Sequence, residues 1–276
     1  MMTFADFESF LRTSFPDVTD VMVERFRLMD SGYRDWNSKI NVISRKDIDS
    51  LYDHHVLHSL AIAEYLRTQR PETYSLFTAP HIANDSGVAY TAQASTTPLA
   101  DSHPCHTKAS IPESPHTSTE PRIPTGGCSV QKPQTLRVLD LGTGGGFPGI
   151  PLAVMFPDVR FTLCDSVGKK TIVAREIANM LGLDNVEIVN ARAESLPGKF
   201  DFIVSRAVAS LTDFYPWVKG KYSRSILYLK GGDINEEICD MMSRERLRKG
   251  SVSTWPVSQW LSDPHFAGKF VIDISR

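Results

Sequence analysis

The feature that most constrains this chain is an apolar run that passes directly into a glycine-dense turn. Residues Val138 to Leu141 lead into Gly142-Thr143-Gly144-Gly145-Gly146-Phe147-Pro148-Gly149, and a helical stretch follows. Glycine adopts positive φ at little cost and lets a ligand approach the backbone, while the helix N-terminus presents unpaired N–H groups. The pattern predicts a strand, a turn and a helix with a small-molecule site at the strand's carboxyl end; the alternative is a tight turn without a ligand.

The spacing of the glycines distinguishes between two adenosine cofactors. The dinucleotide-binding pattern is G-x-G-x-x-G; when it is counted from Gly142, its third glycine position is occupied by Phe147. The pattern D-x-G-x-G-x-G, in contrast, is satisfied from Asp140 to Gly146. This favours S-adenosylmethionine over NAD. Asp165 ends the next apolar run 19 residues after Gly146, where a carboxylate can accept the hydroxyl protons of a ribose. The same aspartate alone would more often be a helix cap.

Short apolar runs alternate with helical stretches over the second half of the chain. We predict strands at 136–141, 160–165, 186–190, 200–205 and 225–230, with helices at 149–156, 169–181, 211–219 and 235–243. Parallel strands need crossover connections, so this alternation indicates a mostly parallel sheet covered on both faces. Alternating apolar residues near the end predict a closing antiparallel hairpin within 251–274. The fold class is therefore α/β and Rossmann-like.

Three regions differ in composition. Residues 1–70 show helical spacing, with helices expected at about 4–15, 18–29 and 49–66, and form a predicted N-terminal helical cap. Residues 71–135 contain 9 of the 17 prolines and 18 Ser or Thr, a composition that predicts a disordered insertion. Residues 136–276 form the predicted Rossmann-like domain, which contains the glycine-dense turn.

Charge and apolar content exclude several classes of protein. The net charge of -2 rules out binding of nucleic acid through bulk positive charge, so an RNA partner needs a local basic patch. No window resembles a membrane span or a signal peptide, and the four cysteines form no C-x-x-C pair. We expect a cytoplasmic monomer with reduced thiols and no membrane partner.

Further strand ends supply candidate side chains. Ala193 and Glu194 follow the third strand and can face an adenine edge, and Arg206 ends the fourth strand. Arg206 can either serve the site or hold a neighbouring carboxylate such as Asp140. The histidines at 54, 55 and 58 lack the glutamate and third ligand of a zinc helix, so no metal is predicted.

Several longer sequence motifs resemble those of one known family. They are the residues Trp36, Asn37 and Asn41, DLGTGGGFPGIPLA at 140–153, LCDS at 163–166 with GKK at 168–170, SRAVASL at 205–211 and LKG at 229–231. In these motifs the chain resembles the glucose-inhibited division protein B family of 16S rRNA guanine-N7 methyltransferases, which have the class I S-adenosylmethionine-dependent methyltransferase fold. The resemblance implies cofactor contacts from Gly142, Gly144, Gly146, Phe147, Asp165, Ala193, Glu194 and Arg206. The chain departs from the family pattern at Gly145, where proline is common, and at His54 and His58, where the family word has Arg and Asp.

The resemblance implies methylation of guanine N7 in the decoding-region loop of 16S rRNA. The implied partner is this rRNA, within the small ribosomal subunit or a precursor. Guanine N7 has a free lone pair, so no catalytic general base is expected. Unstacked bases usually lie against aromatic rings, which makes Trp36, Tyr33 and Phe147 candidates, although Trp36 can equally be a core residue. The candidates for RNA contact are Trp36, Lys39, Arg45, Lys46, Lys169 and Lys170.

Two other functions and one other basic run stay open. The alternatives are a methyltransferase for a small molecule or protein and a non-catalytic, cofactor-binding ribosome-assembly factor. The run of Arg244, Arg246, Arg248 and Lys249 is predicted to be a solvated helix face.

Overall fold

A seven-stranded sheet lies at the centre of the computed structural model, which describes residues 2–79 and 135–276. The strand order is β3-β2-β1-β4-β5-β7-β6, with β1 to β5 parallel and β6 and β7 antiparallel. The strands are β1 Arg137–Leu141, β2 Arg160–Asp165, β3 Val186–Asn190, β4 Phe200–Arg206, β5 Tyr222–Gly231, β6 Val252–Pro256 and β7 Lys269–Ser275. The predicted fold class and closing hairpin are confirmed, and β2 and β3 have the predicted bounds.

Helices cover both faces of the sheet because the central strands are apolar on both sides. The helices that follow β1 and β2 share one core with the N-terminal helices and with Val138 and Phe202. The two later helices share a second core with Leu139 and Ile203 on the other face. The bounds of these helices are α5 Gly149–Met155, α6 Gly168–Met180, α7 Leu211–Val218 and α8 Asn235–Glu245.

The N-terminal helices differ from their predicted lengths. They are α1 Phe4–Ser14, α2 Asp20–Lys39, α3 Leu57–Gln69 and α4 Pro71–Thr78. The second helix extends ten residues beyond its predicted end at residue 29 and passes through Gly32. A Cβ at Gly32 would lie 2.4 Å from Met180 Cε on α6, so this glycine allows two helices to approach closely and does not mark a helix end. The third predicted helix begins instead as a 3-10 turn at Ile48–Ser50 and a π-helical turn at Leu51–Val56.

Helix α4 falls within the range that composition assigned to the insertion. Its residue Phe77 is 2% exposed and its ring lies 5.0 Å from the rings of both Phe156 and Phe202. The first residues of the range 71–135 therefore belong to the core, and the prediction was wrong for them. Residues 80–134 lie outside the described residues. Within the described part of the chain, no helix has the length and apolar character needed to cross a membrane.

Candidate functional site

A cavity of about 310 Å³ opens at the carboxyl edge of the parallel strands. It lies beside the position where the strand order reverses between β1 and β4, which is where ligands bind in open α/β sheets. The loops after β1, β2, β3 and β4 and one residue of α7 form its wall. The residues that line it are Leu141, Gly142, Cys164, Asp165, Ser166, Ala191, Arg192, Ala193, Glu194, Val208 and Trp217.

Gly142 begins the glycine-dense turn and forms part of the cavity wall. Its φ is +73°, and a Cβ at this position would lie 2.6 Å from Val208 Cγ2. Positive φ and the close neighbour both exclude larger residues. The N–H groups of Gly142 and Thr143 both donate to the Cys164 carbonyl, at 2.8 and 3.1 Å, so the turn is fixed to the end of β2.

Asp165 connects the turns that follow β1 and β2. Its Oδ2 accepts the N–H of Gly144 at 2.9 Å and its Oδ1 accepts the N–H of Val167 at 2.8 Å. An ionised carboxylate has about four lone-pair positions, so each oxygen keeps one for a ligand. Asp165 is 8% exposed and lines the cavity, so a ligand there meets an acceptor that two backbone amides already orient.

Asp140 shapes the same turn from inside the protein. Its Oδ2 accepts the Thr143 hydroxyl at 2.6 Å and the Gly149 N–H at 2.8 Å, which caps the start of α5. A Cβ at Gly149 would lie 2.5 Å from this oxygen, which explains the last glycine of the motif. Burial raises the pKa of Asp140 to about 7. Among the described residues its Oδ1 accepts no hydrogen bond. Asp140 supports the turn and does not line the cavity.

Phe147 and Arg206 lie under the N-terminal helices. The Phe147 ring stacks on Tyr33 at 4.8 Å between centroids, and the Arg206 guanidinium lies 5.1 Å from the Phe147 centroid. The Tyr33 hydroxyl donates to the Gly145 carbonyl at 2.9 Å. Tyr33 is fully buried and Phe147 is 4% exposed, so neither ring offers a free face to an RNA base. The interpretation of these two rings as base platforms is not supported by the packing.

Arg206 contacts a histidine and not a carboxylate. Its guanidinium donates to His55 Nδ1 at 3.2 Å, and His55 Nε2 lies 2.6 Å from Asp47 Oδ2. Because Nδ1 accepts from Arg206, Nε2 carries the proton and His55 is neutral. Burial, aided by Arg206, lowers the pKa of His55 to about 4. Within residues 2–79 and 135–276 no ion pair joins Arg206 to Asp140. Burial also lowers the pKa of Arg206, to about 10.

The three positions at which the chain departs from the family pattern have neighbours that explain them. The His54 Nδ1–H group donates to Asp47 Oδ1 at 2.7 Å, and the His54 ring stacks on His265 at 3.6 Å between centroids. His58 is 7% exposed, and burial holds its pKa well below the usual value, so it is neutral. A Cβ at Gly145 would lie 2.8 Å from Val42 Cγ2, so glycine suits the local packing there.

The structure divides the predicted cofactor residues into two groups. Gly142, Asp165, Ala193 and Glu194 line the cavity, and Gly144 contacts Asp165. Gly146, Phe147 and Arg206 are not among the lining residues. Val208 and Trp217 line the cavity but were not predicted, because only tertiary packing brings the loop after β4 and helix α7 to this edge. The assignment of all eight to a cofactor stays a prediction.

The predicted RNA residues lie on α2, on the segment that follows it and at the start of α6. Trp36 is half-buried against the core, and the Lys39 ammonium lies 4.8 Å from its ring and pairs with Asp35 at 2.7 Å. Arg45 and Lys46 are exposed in the segment after α2, three and four residues beyond Val42, whose side chain lies against Gly145. The remaining two, Lys169 and Lys170, begin α6 directly after β2. Among the described residues these last four make no salt bridge.

Comparison with known proteins gives one consistent result. The family model GidB, described as rRNA small subunit methyltransferase G, matches residues 127–261. The ribosomal RNA small subunit methyltransferase G of Flavobacterium psychrophilum is 36% identical over 268 residues, which cover 94% of this chain and 94% of that protein. The protein of the same name from Bacteroides fragilis strain YCH46 is 38% identical over 231 residues, which cover 81% of this chain and 75% of that protein. Among solved structures, magnesium protoporphyrin IX methyltransferase from Synechocystis PCC 6803 with bound SAM shares 15% identity at a TM-score of 0.42, covering 51% of this chain and 70% of that one.

Proposed function

Because the chain belongs to the GidB family of rRNA small subunit methyltransferases, we propose that it methylates N7 of a guanine in the decoding-region loop of 16S rRNA. Family membership makes the chain an S-adenosylmethionine-dependent rRNA methyltransferase. The identity of the methylated base, the acceptor atom N7 and the decoding-region loop are what we propose beyond family membership. The observation that carries it in the structure is the cavity at the ends of β1 to β4, with Asp165 in its wall.

The residues of this cavity fit S-adenosylmethionine. Its volume of about 310 Å³ lies at the lower end of ligand pockets, and it is open to solvent on one side. Asp165 would hold the ribose hydroxyls through the lone pairs that the Gly144 and Val167 amides leave free. Gly142 lets the ligand approach the backbone, and Ala193 and Glu194 would lie against the adenine. When bound, the cofactor supplies an activated methyl group on a sulfonium sulfur.

The proposed acceptor explains why the site needs no general base. Guanine N7 carries a lone pair and no proton, so methyl transfer requires no proton removal by a side chain. The protein acts by holding the reacting atoms in line, an effect that contributes about 7–11 kcal/mol when the geometry is good. The turn is suited to this role because Asp140 fixes it from inside and Asp165 from the cavity side.

Methylation at N7 makes the guanine ring cationic, so a guanidinium pressed against it would oppose the reaction. Arg206 is held between the Phe147 ring and His55 and does not line the cavity. We therefore place Arg206 away from the methylated base and keep the cofactor contact that the resemblance implies, with an RNA phosphate as the alternative partner. The base would enter past Trp36, with phosphate contacts from Lys39, Arg45, Lys46, Lys169 and Lys170. We further propose that the chain acts in the cytoplasm, as a monomer, on the small ribosomal subunit or a precursor.

A labelled-methyl assay tests the proposal. The purified chain is incubated with methyl-labelled S-adenosylmethionine and small ribosomal subunits that lack the modification, and the digested rRNA is analysed by nucleoside mass spectrometry. The proposal predicts label in 7-methylguanosine at one position of 16S rRNA. Label on another base atom, on protein or on a small molecule would contradict it, and binding of cofactor and RNA without transfer would support a non-catalytic assembly factor.

A further inference from the structure

A second large cavity lies at the edge of the sheet opposite the cofactor cavity. We call it the distal pocket; it has a volume of about 530 Å³. It lies where β5 begins and β7 ends, between these strands and the segment that follows α8. The side chains used in the argument below are Tyr215, Tyr222, Arg246, Arg248, Lys249 and Arg276.

The distal pocket has cations on its rim and aromatic rings in its wall. Arg246, Arg248 and Lys249 are exposed, and within residues 2–79 and 135–276 none of them forms a salt bridge with a carboxylate. Tyr215 and Tyr222 are buried in the wall with their hydroxyl oxygens 3.3 Å apart. Three unneutralised cations around one concave surface create a local positive potential although the whole chain has a net charge of -2.

The basic side chains next to the distal pocket differ from those on its rim, because they are paired with acidic residues. Lys219 pairs with Glu245 at 3.0 Å and Arg244 lies 4.0 Å from Asp240, so both acidic groups at the end of α8 already have partners. Arg276 donates to the Tyr222 carbonyl at 3.0 Å, with its guanidinium 6.0 Å from the Tyr222 ring. The basic run is not the solvated helix face that its sequence predicts, because α8 ends at Glu245.

Arg246 occupies a position at which glycine is the usual residue. It follows α8 directly in the left-handed conformation, with φ +53°. A residue with a Cβ is disfavoured there by roughly 1–2 kcal/mol relative to the right-handed region, and helices commonly end with glycine at such a position. The arginine therefore gives no benefit to the backbone, and it is one of the residues that line the distal pocket.

We propose that the distal pocket binds the phosphodiester backbone of the RNA substrate, at a second point remote from methyl transfer. The proposal rests on the proposed function for the identity of the RNA. Strand β5 runs from the distal pocket at Tyr222 to the cofactor edge at Gly231, and its ten residues span about 30 Å at roughly 3.3 Å each. The substrate must therefore extend well beyond the methylated base, as a folded rRNA or a ribosomal particle does.

Binding of RNA at different salt concentrations tests this second contact. The chain with Arg248→Ala and Lys249→Ala is compared with the unaltered chain for affinity to a full-length 16S rRNA transcript. Each phosphate contact adds about 0.7 to the slope of log K against log salt, so two lost contacts lower the slope by about 1.4 and the affinity by up to about 25-fold at 0.1 M salt. The control carries Arg12→Ala and Arg27→Ala, which remove equal charge from residues paired with Glu8, and we expect it to keep the full slope.

A second variant separates binding from folding. Arg246→Gly removes a side chain from the distal pocket and relieves the left-handed backbone, so we expect an unchanged or higher melting temperature together with weaker binding of the transcript. Unchanged affinity and salt slope in both variants would overturn the proposal. Loss of binding to ribosomal particles alone, with normal binding to the transcript, would assign the pocket to a protein surface and also overturn it. Absence of methyl transfer with normal salt-dependent binding would instead refute only the proposed function.

Discussion

Replacing Asp165 by asparagine tests the proposed ribose contact with a minimal change of shape. In the structure both carboxylate oxygens accept backbone N–H groups, from Gly144 and Val167. The asparagine side chain has only one oxygen, so its NH₂ group must face one of these two donors. The substitution therefore removes the charge and turns one acceptor of the cavity wall into a donor.

The expected loss of cofactor affinity follows from these contacts. A hydrogen bond to a charged acceptor contributes about 1.5–3 kcal/mol, so loss of one ribose contact raises the Kd for the cofactor about 10- to 150-fold. The unfolding free energy should also fall, by about 1–3 kcal/mol, because one buried amide N–H loses its acceptor. The two effects are measured independently.

The assay is titration calorimetry with S-adenosylhomocysteine, accompanied by denaturant unfolding of the same samples. Asp201→Asn is the matched control, since Asp201 accepts the Arg137 N–H at 2.9 Å and the Ser223 hydroxyl at 3.1 Å at the opposite edge of the sheet. We expect the control to keep the cofactor affinity. A Kd for Asp165→Asn within twofold of the unaltered chain would refute the ribose assignment.

Three further experiments, with four substitutions, test the glycine turn, helix α4 and the buried histidine. Gly142→Ala should weaken cofactor binding and lower the unfolding free energy by about 1–2 kcal/mol, because Gly142 has a positive φ and an added Cβ would meet Val208. Adding Val208→Ala to this variant should partly restore the cofactor affinity measured by calorimetry. If neither substitution had an effect, the close packing of the turn against Val208 would be contradicted. Phe77→Ala should lower the unfolding free energy by about 3–5 kcal/mol in guanidinium, whereas a loss below 1 kcal/mol would show that α4 is not part of the core. The pKa of His55 is lowered to about 4 in the folded chain, so on acidification the unfolded chain takes up this proton before the folded chain does. The free energy of unfolding should therefore decrease by up to about 3 kcal/mol as the pH falls from about 6.5 to 4. His55→Asn should remove this acid-side loss in unfolding titrations, and an unchanged pH profile would contradict the neutral, buried imidazole.

The sheet and the cofactor turn could be predicted because their sequence patterns are local. Apolar runs at regular intervals specify parallel strands and crossovers, and the glycines of the turn have positive φ or close neighbours that only glycine permits. Asp165 was identifiable for the same reason: the end of β2 lies next to the end of β1 whatever the rest of the chain does.

Features that depend on distant residues could not be read from the sequence. Gly32 lies inside a helix, at a point where Met180 of α6 packs against it, and Arg206 contacts His55, a residue 151 positions earlier. Helix α4 has the composition of an insertion, but Phe77 packs against the rings of Phe156 and Phe202, and Tyr74 also contacts Phe156. In each case the deciding neighbour lies in another element, so no local pattern reveals it.

The most direct test of the cofactor site is a crystal structure of the chain with S-adenosylhomocysteine. We expect the adenosine in the cavity at the ends of β1 to β3, with its ribose hydroxyls donating to Asp165 and its adenine beside Ala193 and Glu194. Density for the adenosine at any other place, with the Asp165 carboxylate contacting only the Gly144 and Val167 amides, would contradict the account.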